Sequence, residues 1–239
     1  MSGADSTGRA ASRRPAAGPL TSGRTVSGRT VLVAGATSVA GQAVSAALVR
    51  AGARVIVVGS HPGRLGALHD AVPGVSAYPC DLGDFAAVTH LADTVHAEHG
   101  MIDWLIHLVG GWRGGGGLVG QNDEDWAFLH RNIVVTLRNT TRAFNADLLA
   151  SPAGRLAIVS SVSVDNPTPG GANYAAAKSA AETWTRAVGH GFAKAGGSAA
   201  TAIFTVRALD GLEHQLAGDV VALWDRPATD LNNTRIPLR

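Results

Sequence analysis

Seven short apolar runs, separated by stretches with helical spacing, limit what this chain can fold into more than any other feature of it. TVLVAG (30–35), RVIVVG (54–59), VSAYPCD (75–81), DWLIHLVG (103–110), GRLAIVSS (154–161), SAATAIFTV (198–206) and TRIPL (234–238) read as strands. Most are apolar along their whole length, so both faces of their sheet must be covered. A helix is expected after the first run to about residue 51, where Gly52 stops it. Pro62 opens the next, and Asp84 caps one that runs to about residue 99. A long helix is expected over about 122–150, another carries Tyr174 to about 195, and a last covers 212–224. This alternation predicts an α/β fold, a doubly wound parallel sheet of about seven strands with helices on both faces. Ligands of such sheets bind beyond the carboxyl ends of the strands. Gly35, Asp81, Gly110 and Ser161 stand at those ends and are expected around one crevice.

At 239 residues, 46% of them hydrophobic, the chain is long enough for one full core. Residues 1–28 are rich in Ser, Gly, Ala, Arg and Pro and lack apolar periodicity. They are expected to be a disordered tail, with 29–239 as a single domain. An Arg- and Ser-rich, acid-poor leader can also be a transit peptide, but no amphipathic face supports that. The net charge of +2 is misleading, because the first 29 residues hold five arginines against Asp5 and leave the remainder at −2. Nucleic acid is therefore not an expected partner. No apolar run is long enough to cross a bilayer, so no membrane partner is expected. The lone cysteine, Cys80, suits a reducing cytoplasm. The nine histidines are scattered without ligand spacing, so no metal is expected.

The chemistry gathers in SVSVDNPTPGGANYAAAK, residues 161–178. Ser161 precedes Tyr174 by thirteen residues, and Lys178 follows Tyr174 by four. On a helix, Tyr174 and Lys178 share one face. An ammonium close to a phenol favours the phenolate and lets the tyrosine pass a proton well below its ordinary pKa of about 10. A serine hydroxyl beside them can hold a substrate oxygen. Such a group of residues can protonate a carbonyl oxygen or deprotonate an alcohol.

From about residue 29 onward the chain resembles a short-chain dehydrogenase/reductase, in strand order, spacing and motifs together. The resemblance implies a Rossmann-type fold, with Ser161, Tyr174 and Lys178 as the family's catalytic serine, tyrosine and lysine. Asn132, in HRNIVV, falls where the family places a catalytic asparagine; without that setting it is a polar residue on a helix face. By resemblance Tyr174 is the general acid/base and Ser161 orients the carbonyl. Lys178 lowers the tyrosine pKa and holds the nicotinamide ribose, and Asn132 positions a relay water.

The family's T-G-x-x-x-G-x-G is represented by Ala34, Gly35, Ala36, Thr37, Ser38, Val39, Ala40 and Gly41. Val39 replaces the middle glycine, adding bulk and disfavouring positive φ. The helix N-terminus still attracts phosphate, with Thr37 and Ser38 to assist. Asp81 and Leu82 resemble the family's adenine contacts, although Asp81 equally suits a turn or cap. The family's N-N-A-G is replaced by His107, Leu108, Val109 and Gly110; Gly110 is kept, and His107 is expected to be a structural substitute. After the second strand come Gly59, Ser60, His61, Pro62, Gly63 and Arg64, with no carboxylate to repel a 2′-phosphate. Ser60, His61 and Arg64 therefore favour NADP(H) over NAD(H), although Arg64 also fits a solvated first turn.

The family's mobile lid after the sixth strand is cut to 207–211. The glycines at 114–117 offer mobility in its place or are merely permissive, with Trp112 and Arg113 as candidate substrate contacts. The expected function is hydride transfer between NADP(H) and a small-molecule carbonyl or alcohol. The resemblance further implies a homodimer or homotetramer through helices 122–150 and 173–195. The alternative is a non-redox protein of the same fold, suggested by Val39, the altered N-N-A-G and the missing lid.

Overall fold

The computed structural model describes residues 26–239. The tail expected at 1–28 lies outside the described residues except at 26–28, where Val26 is buried and Gly28 N–H donates to the Gly52 carbonyl at 2.8 Å.

Seven strands form one sheet: β1 Thr30–Ala34, β2 Arg54–Gly59, β3 Val75–Pro79, β4 Trp104–His107, β5 Arg155–Ser161, β6 Ala200–Val206 and β7 Thr234–Pro237. Their order is β3-β2-β1-β4-β5-β6-β7, and every pairing is parallel. Successive side chains on a strand point to opposite faces. Val31 and Val33 accordingly join Val55, Val57, Trp104 and Ile106 in one core, under helices α1 Val39–Arg50, α2 Pro62–Ala71 and α7 Glu213–Ala222. Leu32, Ala34, Ile56 and Val58 enter the other core. That core is covered by α3 Phe85–His99, α4 Asp123–Leu129, α5 Thr136–Ala150 and α6 Ala172–Ala195. Full burial of such side chains stabilises by about 1.5–3 kcal/mol each, so the central strands anchor the site. A short helix, α8 Ala228–Leu231, precedes β7. Among the described residues no helix is long and apolar enough to cross a membrane.

The strand order runs outward in both directions from β1 and β4. Their carboxyl ends therefore flank the point where the connections diverge, and ligands of open α/β sheets bind at such a point. Two glycines make the first turn possible. Gly35 has φ +79°, and a Cβ there would lie 2.7 Å from Val109 N. A Cβ on Gly41 would lie 2.5 Å from the Ala36 carbonyl oxygen, so this glycine lets α1 approach the strand.

The helix expected over 122–150 is not uniform. It comprises α4, a π-helical turn at His130–Val135, and α5. The backbone stays helical across both junctions, with φ −59° and ψ −48° at His130 and φ −62° and ψ −42° at Thr136. The turn adds a residue without ending the helix, and apolar periodicity alone does not reveal it. β3 and β4 also end sooner than their apolar runs, at Pro79 and His107.

Candidate active site

A cavity of about 980 Å³ opens at the carboxyl ends of the central strands. The N-terminus of α1 follows β1 and so enters the cavity at the middle of the sheet. Ser38 caps it, its Oγ accepting Gly41 N–H at 3.0 Å, and Thr37, Ser38 and Val39 line the wall with Gly35. Val39 is 70% exposed on the first turn. Its φ is not positive, so the expected backbone strain is absent and only the side chain's bulk remains. Gly41 packs behind the turn, away from the cavity wall.

Farther along, Ser60 and Arg64 line the cavity beyond β2. Arg64 is exposed and makes no ion pair among the described residues. His61 is not among the lining residues; it caps α2, with Nδ1 accepting Arg64 N–H at 3.4 Å. Asp81 and Leu82 form the next stretch of wall. Asp81 Oδ1 accepts Gly83 N–H at 2.9 Å, as a turn aspartate does, while Oδ2 accepts Arg131 Nη2 at 2.6 Å. The aspartate thus fills the turn role and still faces the cavity.

At the far end, α6 brings Tyr174 and Lys178 to the wall, with Asn132 from the π-helical turn and Gly110 from beyond β4. Lys178 Nζ lies 5.8 Å from the Tyr174 ring centroid and donates to the Val159 carbonyl at 2.7 Å. Burial pulls the Lys178 pKa down to about 8, against the opposing charge of Glu182. Burial also raises the Tyr174 phenol above its ordinary value, with the Ser161 hydroxyl pulling the other way. Burial is the larger of the two causes, so the phenol lies above its ordinary value and not below it as expected.

Ser161 ends β5 and is 2% exposed. Its Oγ accepts Ser163 N–H at 3.1 Å and contacts Ser163 Oγ at the same distance, so it sits beneath the wall. Its neighbour Ser160 donates to Glu182 Oε1 at 2.7 Å. Glu182 is fully buried and pairs with Arg186 and with Arg235, the latter at 3.3 Å. Glu182 went unnoticed in the sequence, yet it follows Lys178 by the same four residues that separate Lys178 from Tyr174.

His107 is buried behind this group. Burial and the nearby Lys178 charge lower its pKa to about 3, so the ring is neutral. Its Nε2 lies 3.1 Å from Thr136 Oγ1, another residue that sequence reasoning missed. On the substrate side Trp112 is 61% exposed and Phe128 lines the wall. Arg113 stands 4.0 Å above the Phe128 ring and 3.8 Å from Asp125. The glycine-rich loop is tied down by Gly115 N–H and Gln121 Nε2, both donating to the Gly170 carbonyl at 2.8 and 3.1 Å. Among the described residues no three His, Cys, Asp or Glu side chains gather to hold a metal ion.

A family model described as short chain dehydrogenase matches residues 29–203. The chain belongs to the short-chain dehydrogenase/reductase family. The matched stretch runs from the first strand into β6 and holds Asn132, Ser161, Tyr174 and Lys178. It is 26% identical over 169 residues to 2,3-dihydro-2,3-dihydroxybenzoate dehydrogenase of Bacillus subtilis. That match covers 69% of this chain and 64% of the relative, so the chain spans less than two thirds of that protein's length. The fold is shared with a metagenomic short-chain oxidoreductase in complex with NADP, at TM-score 0.76 and 24% identity, covering 90% of this chain and 97% of the other. An NADH-dependent reductase complexed with NAD is equally similar in shape, at TM-score 0.76 and 21% identity over 89% and 95% of the two chains.

Proposed function

We propose that this short-chain dehydrogenase interconverts a small-molecule carbonyl and its alcohol with NADP(H). The observation that carries the proposal is the convergence of Asn132, Tyr174 and Lys178 on one cavity that the N-terminus of α1 also lines, at the middle of the sheet. The residues present fit a dinucleotide. The free N–H groups of α1 suit a pyrophosphate, with Thr37 and Ser38 beside them. Asp81 and Leu82 suit the adenine end. Ser60 and Arg64, with no carboxylate at the end of β2, suit a 2′-phosphate and favour NADP(H) over NAD(H). When bound, the nicotinamide supplies or accepts the hydride.

The chain's own residues handle the proton and the alignment. Tyr174 gives a proton to the carbonyl oxygen, or takes one from the alcohol. Lys178, fixed by the Val159 carbonyl, supplies positive charge beside the phenol. Ser161, from beneath the wall, holds the Tyr174 phenol in line through its hydroxyl, and Asn132 orders water behind Lys178. Trp112 and Phe128 form an apolar wall for the substrate. We assign a homodimer or homotetramer to the surface of α5 and α6, where Trp184 Nε1 donates to Thr141 Oγ1 at 2.9 Å beside a shallow surface hollow. The lone cysteine suits the cytoplasm.

The test is NADPH oxidation against a panel of aldehydes and ketones. Consumption that needs Tyr174 supports the assignment; no consumption with any carbonyl, by folded protein with cofactor bound, would sink it. One observation favours a non-redox alternative: the exposed Val39 side chain lines the cavity at the N-terminus of α1, where a pyrophosphate would lie.

A pH dependence follows from Lys178. Its ammonium is present below about 8 and is lost above that value. kcat/KM for carbonyl reduction is therefore expected to fall as pH rises through about 8. A pH profile that stays flat to the ordinary lysine range, about 10.4, would contradict this role for the buried ammonium.

A further inference from the structure

The π-helical turn at His130–Val135 carries Asn132, and single π turns are rare and recur at functional sites. Such a turn displaces backbone hydrogen bonds and needs support from outside its own ladder. Here Thr136 Oγ1 donates to the Asn132 carbonyl at 2.6 Å. A hydroxyl has one proton, so the Thr136 oxygen is left as an acceptor. Its other neighbour is His107 Nε2 at 3.1 Å, and with the hydroxyl proton on the Asn132 carbonyl this contact calls for the tautomer that donates through Nε2. His107 is 3% exposed and is the last residue of β4, in register with Ala34 and Ile158 on either side. A chain of two hydrogen bonds thus runs from the middle of the sheet to the backbone of Asn132.

We propose that His107 and Thr136 are positioning residues that set where Asn132 stands in the cavity, by tying the π-helical turn to the end of β4. The proposal rests on the functional reading above, in which Asn132 assists Tyr174 and Lys178. Where the family pattern has an asparagine at the position of His107, this chain has a longer side chain. Its reach to Thr136 accounts for a substitution that the sequence left only as structural. The ring acts as a neutral donor, and burial together with the Lys178 charge keeps it from titrating near neutral pH.

Two measurements test this, one of them independent of turnover. Thr136→Val is nearly isosteric and puts a methyl group in place of the hydroxyl. In a double-mutant cycle with Asn132→Ala, Thr136→Val is expected to lower kcat about tenfold alone and to have almost no further effect once Asn132 is gone. The same loss in both backgrounds would overturn the proposal, because a merely structural residue acts regardless of Asn132. His107→Gln, which keeps a side-chain N–H donor, is expected to retain more kcat than His107→Leu. The second measurement is nitrogen NMR of the His107 ring together with amide exchange over 130–137. The ring is expected to stay neutral with its proton on Nε2 between about pH 5 and 8, the range in which an ordinary histidine titrates. Thr136→Val is expected to speed exchange in the turn while leaving β1 unchanged. A ring that titrates in that range, carries its proton on Nδ1, or leaves exchange unaltered would overturn the proposal. If no carbonyl is turned over, the functional reading fails, and the NMR result still decides whether His107 holds the turn.

Discussion

Tyr174→Phe is expected to lower kcat for carbonyl reduction by about 10²–10⁴-fold, the usual contribution of a positioned general acid. NADPH affinity should not change. The substitution removes one hydroxyl and leaves the ring, which lines the cavity and lies 5.8 Å from Lys178 Nζ. Both residues stand on α6, whose buried face of Ala175, Ala177, Lys178 and Ala181 is unaffected by loss of the phenol oxygen. Stability should therefore hold, and the loss should appear in kcat. Stopped-flow or steady-state NADPH oxidation beside a binding titration separates the two. If the Phe variant keeps full activity, proton transfer runs through another group and the role assigned to Tyr174 is wrong.

Val39→Gly is expected to tighten NADPH binding about tenfold, equivalent to about 1.4 kcal/mol. The reason is not relief of backbone strain, since Val39 already has ordinary helical geometry on the first turn of α1. It is removal of a branched side chain that is 70% exposed and lines the cavity beside the free N–H groups of the helix. The same change should cost stability, by roughly 0.5–1 kcal/mol, because glycine loses more backbone freedom on folding. Affinity and melting temperature therefore move in opposite directions, which distinguishes a cleared phosphate site from general stabilisation. Calorimetric titration of both proteins checks it. An unchanged Kd would mean that the valine side chain already leaves room for the pyrophosphate.

The sheet was legible because a parallel sheet buried on both faces writes its strands as apolar runs. All seven runs became strands, and Gly35 and Gly52 fell at turns with positive φ. The convergence of Asp81, Gly110, Asn132, Tyr174 and Lys178 was legible for the same reason, since strand ends in such a fold share one side. What the sequence did not disclose depends on contacts between distant residues. The π-helical turn adds a residue to a helix whose periodicity it barely alters, and its support comes from His107, far away in the chain. His61 carried the right chemistry for a phosphate, but it caps α2 through Nδ1 and is not among the residues lining the cavity, and neither fact shows in the sequence. The contacts of Arg113, a candidate at the substrate, with Phe128 and Asp125 are likewise not visible in the sequence. The balance of burial and charge at Tyr174 also lay beyond spacing. The i,i+4 pattern puts an ammonium near the phenol, whereas the raised pKa comes from the walls around both.

The most direct test of the account is a titration of the purified protein with NADPH and with NADH, followed by tryptophan quenching and calorimetry. Tighter binding of NADPH is predicted, with the advantage largely lost in Arg64→Ala, whose guanidinium lines the cavity beyond β2 without an ion-pair partner among the described residues. Tighter binding of NADH would overturn the cofactor assignment. Failure of the folded protein to bind either nucleotide would contradict the reductase itself and leave a non-redox protein, with its phosphate site closed by Val39.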